Sequence, residues 1–423
     1  MSYWCQRPQD PTGQTVLQLV TNIKYLSWEA VEDRLAKFPR DAAEKDRFGL
    51  TSLHHVIRKR HCQVPLHIIK YLIQADTSVL KLSDSQTGRN ALHIACIDHS
   101  SDEVNGYPII QMILDAYPEG ARHIDKEGRI PLHKVQSIPI ARELIKVYPD
   151  GLGIRSSFGR LPLHDAVSDN SIPPEVVEEL IVQGRAQKIG TQCGDGNYCG
   201  GVLVKDGVGE MPIKILFRRL LFSSKSTKDG LVIDSDSPLW TKLCIIARAS
   251  YLAINEFPKD WKSKEIPLLH TLVEFGGHVD IIQHALDLYP HEILMRDSKG
   301  RTPLCIASET VDNGDHTGIK TREGVIDVLL DARRSGKEAA KMVNHEQRLP
   351  LHVAVEKGRS WHNGVETIVN AEPMALQTRD MQTGLYPFQL AAIQSFNWDN
   401  ADINTVYSLL YANPDVMRSI ADD

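Results

Sequence analysis

The chain has 423 residues, of which 42% are apolar and 24% charged, the balance of a folded chain rather than a disordered or fibrous one. A formal charge of -6 offers no basic field for nucleic acid or for an anionic membrane surface. The seven cysteines are odd in number and scattered, and Cys96, Cys244 and Cys305 lie inside apolar runs, so they read as reduced core thiols and not as a disulfide framework.

Residues 1–13 are polar and carry two prolines, without the apolar core of a signal peptide. No apolar run reaches the ~20 residues that span a bilayer. The expectation is a soluble intracellular protein, cytoplasmic in preference to nuclear. Next, 16–23 and 28–38 carry helical spacing, with Pro39 ending the second run. They fit a terminal capping repeat over 1–45, which must leave one side to water.

A short unit then recurs along the chain. Its fullest copy is Asp297-Ser298-Lys299-Gly300-Arg301-Thr302-Pro303-Leu304-Cys305-Ile306-Ala307. A close relative is Phe158-Gly159-Arg160-Leu161-Pro162-Leu163-His164-Asp165-Ala166-Val167. Others follow Gly88, Gly128 and Gln347, and fainter ones follow Gly49 and Gly384. Leu53, Leu92, Leu132, Leu163, Leu304, Leu351 and Phe388 hold one slot, at separations of 39, 40, 31, 141, 47 and 37. The gap of 141 contains two worn copies, at 212–216 and 266–270.

Each unit precedes a second apolar run of helical spacing, at 66–73, 109–117, 140–148, 176–182, 279–289, 325–330, 365–369 and 403–411. In one of them Ile110, Ile113, Leu114 and Tyr117 fall on one helix face. Pro65, Pro108, Pro139 and Pro174 suit the first turn of these helices, and Pro118, Pro149 and Pro290 suit their ends. Each repeat therefore reads as a turn carrying glycine, a short helix beginning near Pro-Leu-His, a loop and a longer helix.

The pattern resembles the ankyrin repeat, whose signature is Gly-x-Thr-Pro-Leu-His-x-Ala at a period near 33. The resemblance covers about 46–190 and 263–415. It implies an all-α ankyrin-repeat solenoid of about nine to ten helix pairs, with an N-terminal block over 46–189 and a C-terminal block over 263–423. The threonine survives only as Thr302 and Thr51, and the period is lengthened by loops at 99–106, 309–324 and 356–364. Long repeats ending in Tyr-Pro look like the large ankyrin arrays of some single-celled algae.

The middle, 190–262, departs most. Asp195-Gly196-Asn197 and Asp206-Gly207 are turn signals, and the β-branched stretch 198–205 suggests a small hairpin. Residues 223–237 are polar and read as a flexible loop, whose Ser223–Ser226 cluster and Ser237 are candidates for phosphorylation. Residues 239–253 read as a helix.

No catalytic constellation stands out. His54, His93, His133, His164, His270 and His352 each sit in a different repeat, too far apart to share a metal whose ligands lie within about 2 Å. The family's histidine at this slot ties neighbouring turns together, and with Leu53, Leu92, Leu132, Leu163, Leu304 and Leu351 these residues are expected to be structural. Cys193 and Cys199 could be half a metal site but find no completing ligands; ordinary thiols across a hairpin are the simpler reading. Gly194, Gly196, Gly200 and Gly201 lack the lysine and serine of a phosphate loop. No catalytic residue, metal, cofactor or small-molecule substrate is expected.

What remains is surface. In the family, partners dock on the concave face formed by turn tips and first helices. The matching positions are Arg47, Phe48, Lys126, Glu127, Phe158, Arg160, Asp165, Lys299, Arg301 and Arg348. The arginines recurring after each turn glycine could read acidic peptides or could pair with Asp46, Asp84, Asp125 or Asp297. The resemblance implies a non-catalytic scaffold or adaptor for another protein; the alternative is a regulatory or targeting subunit of a separate enzyme.

Overall fold

The computed structural model describes residues 14–21, 27–59, 65–98, 106–192, 198–223, 225–227, 230–254, 267–310, 324–331, 336–397 and 403–414. The described chain is mostly helical and divides into two compact units, one holding residues up to 192 with 196–215 and the other holding 216–423.

The first unit contains α1 (Val16–Thr21), α2 (Trp28–Lys37), α3 (Ser52–Ile57), α4 (Leu66–Ala75), α5 (Ala91–Asp98), α6 (Gly106–Ala116), α7 (Ile138–Val147), α8 (Pro162–Ser168) and α9 (Pro174–Ala186). The short helices stack in one row: α1 on α3, α3 on α5, α5 on the 3-10 turn Pro131–Lys134, and that turn on α8. The longer helices stack beside them in the order α2, α4, α6, α7, α9. The turn Pro131–Lys134 stands where a first helix is expected. Its repeat is the one with the spacing of 31, and Pro139 starts the next helix only a few residues on.

α10 (Pro212–Ser223) spans the division between units. The second unit continues with α11 (Pro238–Ile254), α12 (Leu268–Glu274), α13 (Val279–Leu288), α14 (Pro303–Glu309), α15 (Val325–Leu329), α16 (Gly336–Ala339), α17 (Pro350–Glu356), α18 (Glu366–Ala371), α19 (Pro387–Asn397) and α20 (Ile403–Ala412). Again there are two rows, α11-α12-α14-α17-α19 and α13-α15-α18, with α20 closing on α19. Leu53, Leu92, Leu132, Leu163, Leu304 and Leu351 are all buried between these rows.

Tyr-Pro does more than stop a helix. The residue before a proline is pushed out of the helical region by the pyrrolidine ring. Phe38, Tyr117, Tyr148 and Tyr289 accordingly end α2, α6, α7 and α13 with φ between -149° and -130°. The proline, free of an N–H that would go unbonded, then opens a 3-10 turn: Pro39–Ala43, Pro118–Arg122, Pro149–Gly153, Pro290–Leu294 and, after Glu372, Pro373–Gln377. The Tyr117 and Tyr148 rings lie against Gly120 and Gly151, where an added Cβ would come within 3.1 and 3.0 Å.

The middle of the chain corrects two expectations. Residues 198–205 form no hairpin: Tyr198 makes one isolated bridge to Gln192, and Gly200 and Gly201 turn with φ of +63° and +89°. This loop packs on α9, with an added Cβ at Gly200 falling 2.6 Å from the Ile181 carbonyl. Its glycines serve that close approach rather than a phosphate. A short antiparallel hairpin lies instead inside the stretch read as a flexible loop, with strands β1 (Lys225–Thr227) and β2 (Gly230–Val232). Thr227 and Val232 are the β-branched residues that the serine content obscured. Ser237 is a helix cap, accepting from the Trp240 N–H at 3.2 Å. Cys193, the 195–197 turn, and most of the loops at 99–106 and 309–324 lie outside the described residues.

Candidate interaction surface on the turns

Each turn is built around one acceptor side chain. Asp46 Oδ1 accepts from the N–H of Phe48 and Leu50 at 2.8 and 2.9 Å, and the backbone closes between Asp46 and Leu50. Asp125, Asp206, Asp297 and Asn344 repeat the pair of bonds to the second and fourth residues on. Ser156 keeps one of them, to Arg160. The turns at Asp84 and Asp380 are one residue longer, and the hydroxyls of Thr87 and Thr383 bond the second carboxylate oxygen. Burial by itself would push the Asp46 and Asp206 carboxyls up. The amide donors outweigh it and hold both below the usual carboxylate range.

The tip needs a left-handed residue, and Gly49, Gly88, Gly128, Gly159, Gly300 and Gly384 supply it at φ between +70° and +78°. Gln347 takes the same place at φ +61°. Successive tips are then joined by one backbone bond each. Ser85 donates to Phe48, Lys126 to Thr87, Ser157 to Glu127 and Gly207 to Phe158 in the first unit, and His345 to Lys299 in the second.

The repeated histidine ties its turn to the next in five of the six copies, His54 being the exception. Its Nδ1 accepts the N–H three residues back, from Thr51, Ile130, Leu161 and Leu349 at 3.1–3.3 Å. That leaves the proton on Nε2, which donates to the Arg160, Val204 and Thr378 carbonyls from His133, His164 and His352. His93 and His270 reach the Arg129 and Arg301 carbonyls through the same atom. Burial lowers the pKa of His54, His93, His164 and His270 to about 4, because no water is left to solvate the cation. All six rings are buried.

The ten positions expected to face a partner separate into three groups. Arg47, Lys126, Phe158 and Lys299 are exposed at the tips. Phe48 is half-buried under the Arg47 guanidinium, 4.6 Å from its ring centre, and Glu127 is half-buried beside Arg129 and Arg89. Asp165, Arg301 and Arg348 are buried and therefore do not belong to a docking surface. Arg160 is half-buried and pairs with Asp206 at 3.4 Å.

The recurring arginine is the reason. Its Nε points to the aspartate of the next turn in Arg89–Asp125 (3.3 Å), Arg160–Asp206 and Arg348–Asp380 (3.0 Å), to Asp165 from Arg129, and to its own turn in Arg301–Asp297 (2.8 Å). Pairing of these arginines with aspartates was one of the two sequence readings; the acceptance of turn amides by the same aspartates was the feature missed. Its signal was an Asp, Asn or Ser four or five residues before each of these arginines. Arg359 was also missed: it is buried and caps the end of α14, donating to the carbonyls of Ala307 and Thr310 at 2.7 and 2.6 Å.

Among the described residues no group of three or more His, Cys, Asp or Glu side chains could hold a metal ion. No described helix is long and apolar enough to cross a membrane. Cys96, Cys199, Cys244 and Cys305 are buried free thiols.

No protein-family model matches the chain, and no curated protein matches it. Among solved structures the chain is similar to one of the Bd0816 predatory endopeptidase from Bdellovibrio bacteriovorus in complex with immunity protein Bd3460. The identity is 16% and the TM-score 0.36, over 48% of this chain and 90% of that one.

Proposed function

We propose that the helix pairs are ankyrin-type repeats and that the chain is a non-catalytic scaffold or adaptor that binds another protein through its turn-bearing face. The observation that carries this reading is the division of labour within each turn. The Asx residue, the arginine and the histidine are directed into the stack. The tip residues are left pointing outward on a row held together by backbone bonds. Such a row presents a different side chain at each step on a common frame, which is how repeat proteins build extended recognition surfaces.

The test is capture from native lysate with the intact chain and with a second bait carrying Arg47→Glu, Phe158→Ala and Lys299→Glu. All three positions are exposed, so the fold is retained. A protein held by the first bait and lost from the second supports the reading. The same proteins on both baits would remove the turn face from consideration.

A further inference from the structure

The last two tips of the first unit differ from the others. Phe158 is 57% exposed and Val208 80% exposed, and they lie on consecutive turns, joined by the Gly207 N–H to the Phe158 carbonyl at 2.9 Å. The two tips are packed backbone against backbone. A Cβ on Gly159 would fall 2.5 Å from the Gly207 nitrogen, and one on Gly207 would fall 2.5 Å from the Phe158 oxygen.

Three exposed cations lie on these two turns and the one before. Arg155 is exposed and its Nη1 donates to the carbonyls of Gly159 and Lys205 at 2.9 and 2.8 Å, bridging the two turns. Lys205 is exposed beside it, and Lys126 is exposed on the tip before, with Nζ on the Ser85 carbonyl. Among the described residues none of these three cations meets a carboxylate. Of the acidic groups on these turns, Asp206 pairs with Arg160, Asp165 with Arg129, and Glu127 with Arg129 and Arg89, while half-buried Glu210 closes the Val208 turn.

We propose that these two tips are the docking site for an extended segment of a partner protein that carries a bulky apolar side chain flanked by Asp or Glu. The apolar pair supplies the anchor, and the unneutralised cations select the flanking charge and set the register. A chain of net charge -6 draws no polyanion from a distance, so this cluster discriminates locally. The proposal rests on the turn face being a protein-binding surface and names the chemistry of its partner.

The probe is a display library of random twelve-residue peptides panned on the full chain, with the consensus peptide then synthesised and titrated by fluorescence anisotropy. The expected consensus is Leu, Ile, Phe or Trp flanked by acidic residues. Affinity should fall on the order of tenfold or more in Phe158→Ala and in Val208→Ser. Lys126→Glu with Lys205→Glu should weaken it similarly and flatten its salt dependence. A basic or purely polar consensus overturns the proposal, as does preference for a mixed-sequence oligonucleotide. Acidic peptides that bind all variants equally but are lost with Arg47→Glu or Lys299→Glu overturn this site while leaving the turn face standing. No enrichment over an uncoated surface overturns both.

Discussion

Acidification is the sharpest test of the histidine ladder. In the folded chain His54, His93, His164 and His270 titrate near 4, against 6.5 for an unconstrained imidazole. Between those values the unfolded chain takes up protons that the folded chain refuses, so stability is complete above pH 6.5 and drains as pH falls toward 4. Going from pH 7 to pH 5, each such histidine should cost about 2 kcal/mol. Depressed carboxylates such as Asp46 and Asp206 act only lower, as pH drops below their unfolded value of 3.8. Glu274 and Glu292, raised by burial, work in the opposite sense: they favour the fold at low pH and offset part of the loss. Urea denaturation followed by circular dichroism at pH 7, 6, 5 and 4.5 reads the midpoint. His164→Gln should be less stable at pH 7, since the ring bonds Leu161 and Val204, yet its stability should fall less steeply below pH 6.5. A wild-type midpoint flat from pH 7 to 4.5, or a variant with the wild-type slope, would refute the assignment of neutral Nε2–H rings.

Three further outcomes follow from the same geometry. Gln347→Gly should raise stability by roughly 1 kcal/mol in thermal unfolding, because an exposed residue is relieved of a left-handed backbone. Arg348→Ala should cost roughly 3–5 kcal/mol by leaving buried Asp380 without its guanidinium, whereas Lys146→Ala, which removes an exposed partner of Glu143 at the surface, should barely move the melting temperature. Cys96, Cys244 and Cys305, whose thiols burial pushes up to about 12, 11 and 12, should stay unmodified by iodoacetamide at pH 8 until urea unfolds the chain, as read by peptide mass spectrometry.

The helices and their ends were legible in the chain. Apolar spacing located the long helices: 66–73 became Leu66–Ala75, 279–289 became Val279–Leu288, and 403–411 became Ile403–Ala412. These signals are local: periodicity, a proline with no N–H to lose, and a glycine free to turn. The buried leucine and histidine of each repeat were legible for the same reason, since one spacing applied several times over leaves little freedom.

The fate of the polar residues was not legible. Arg348 and Phe158 occupy nearby places in two copies of one unit, yet the guanidinium is buried on Asp380 of the next turn and the ring stands in solvent. Whether an arginine faces outward depends on whether a carboxylate from another turn lies within about 3 Å of it, and that distance exists only once the repeats are stacked. The same holds for the 198–210 segment. Its glycines and β-branched residues suit a hairpin taken alone, but the backbone of α9 claims the glycines for close packing. Sequence by itself therefore determined the repeated unit, its helices and its core. Tertiary structure decided which charges are internal and which tips are left exposed, because ion pairing and close approach are properties of residues far apart in the chain.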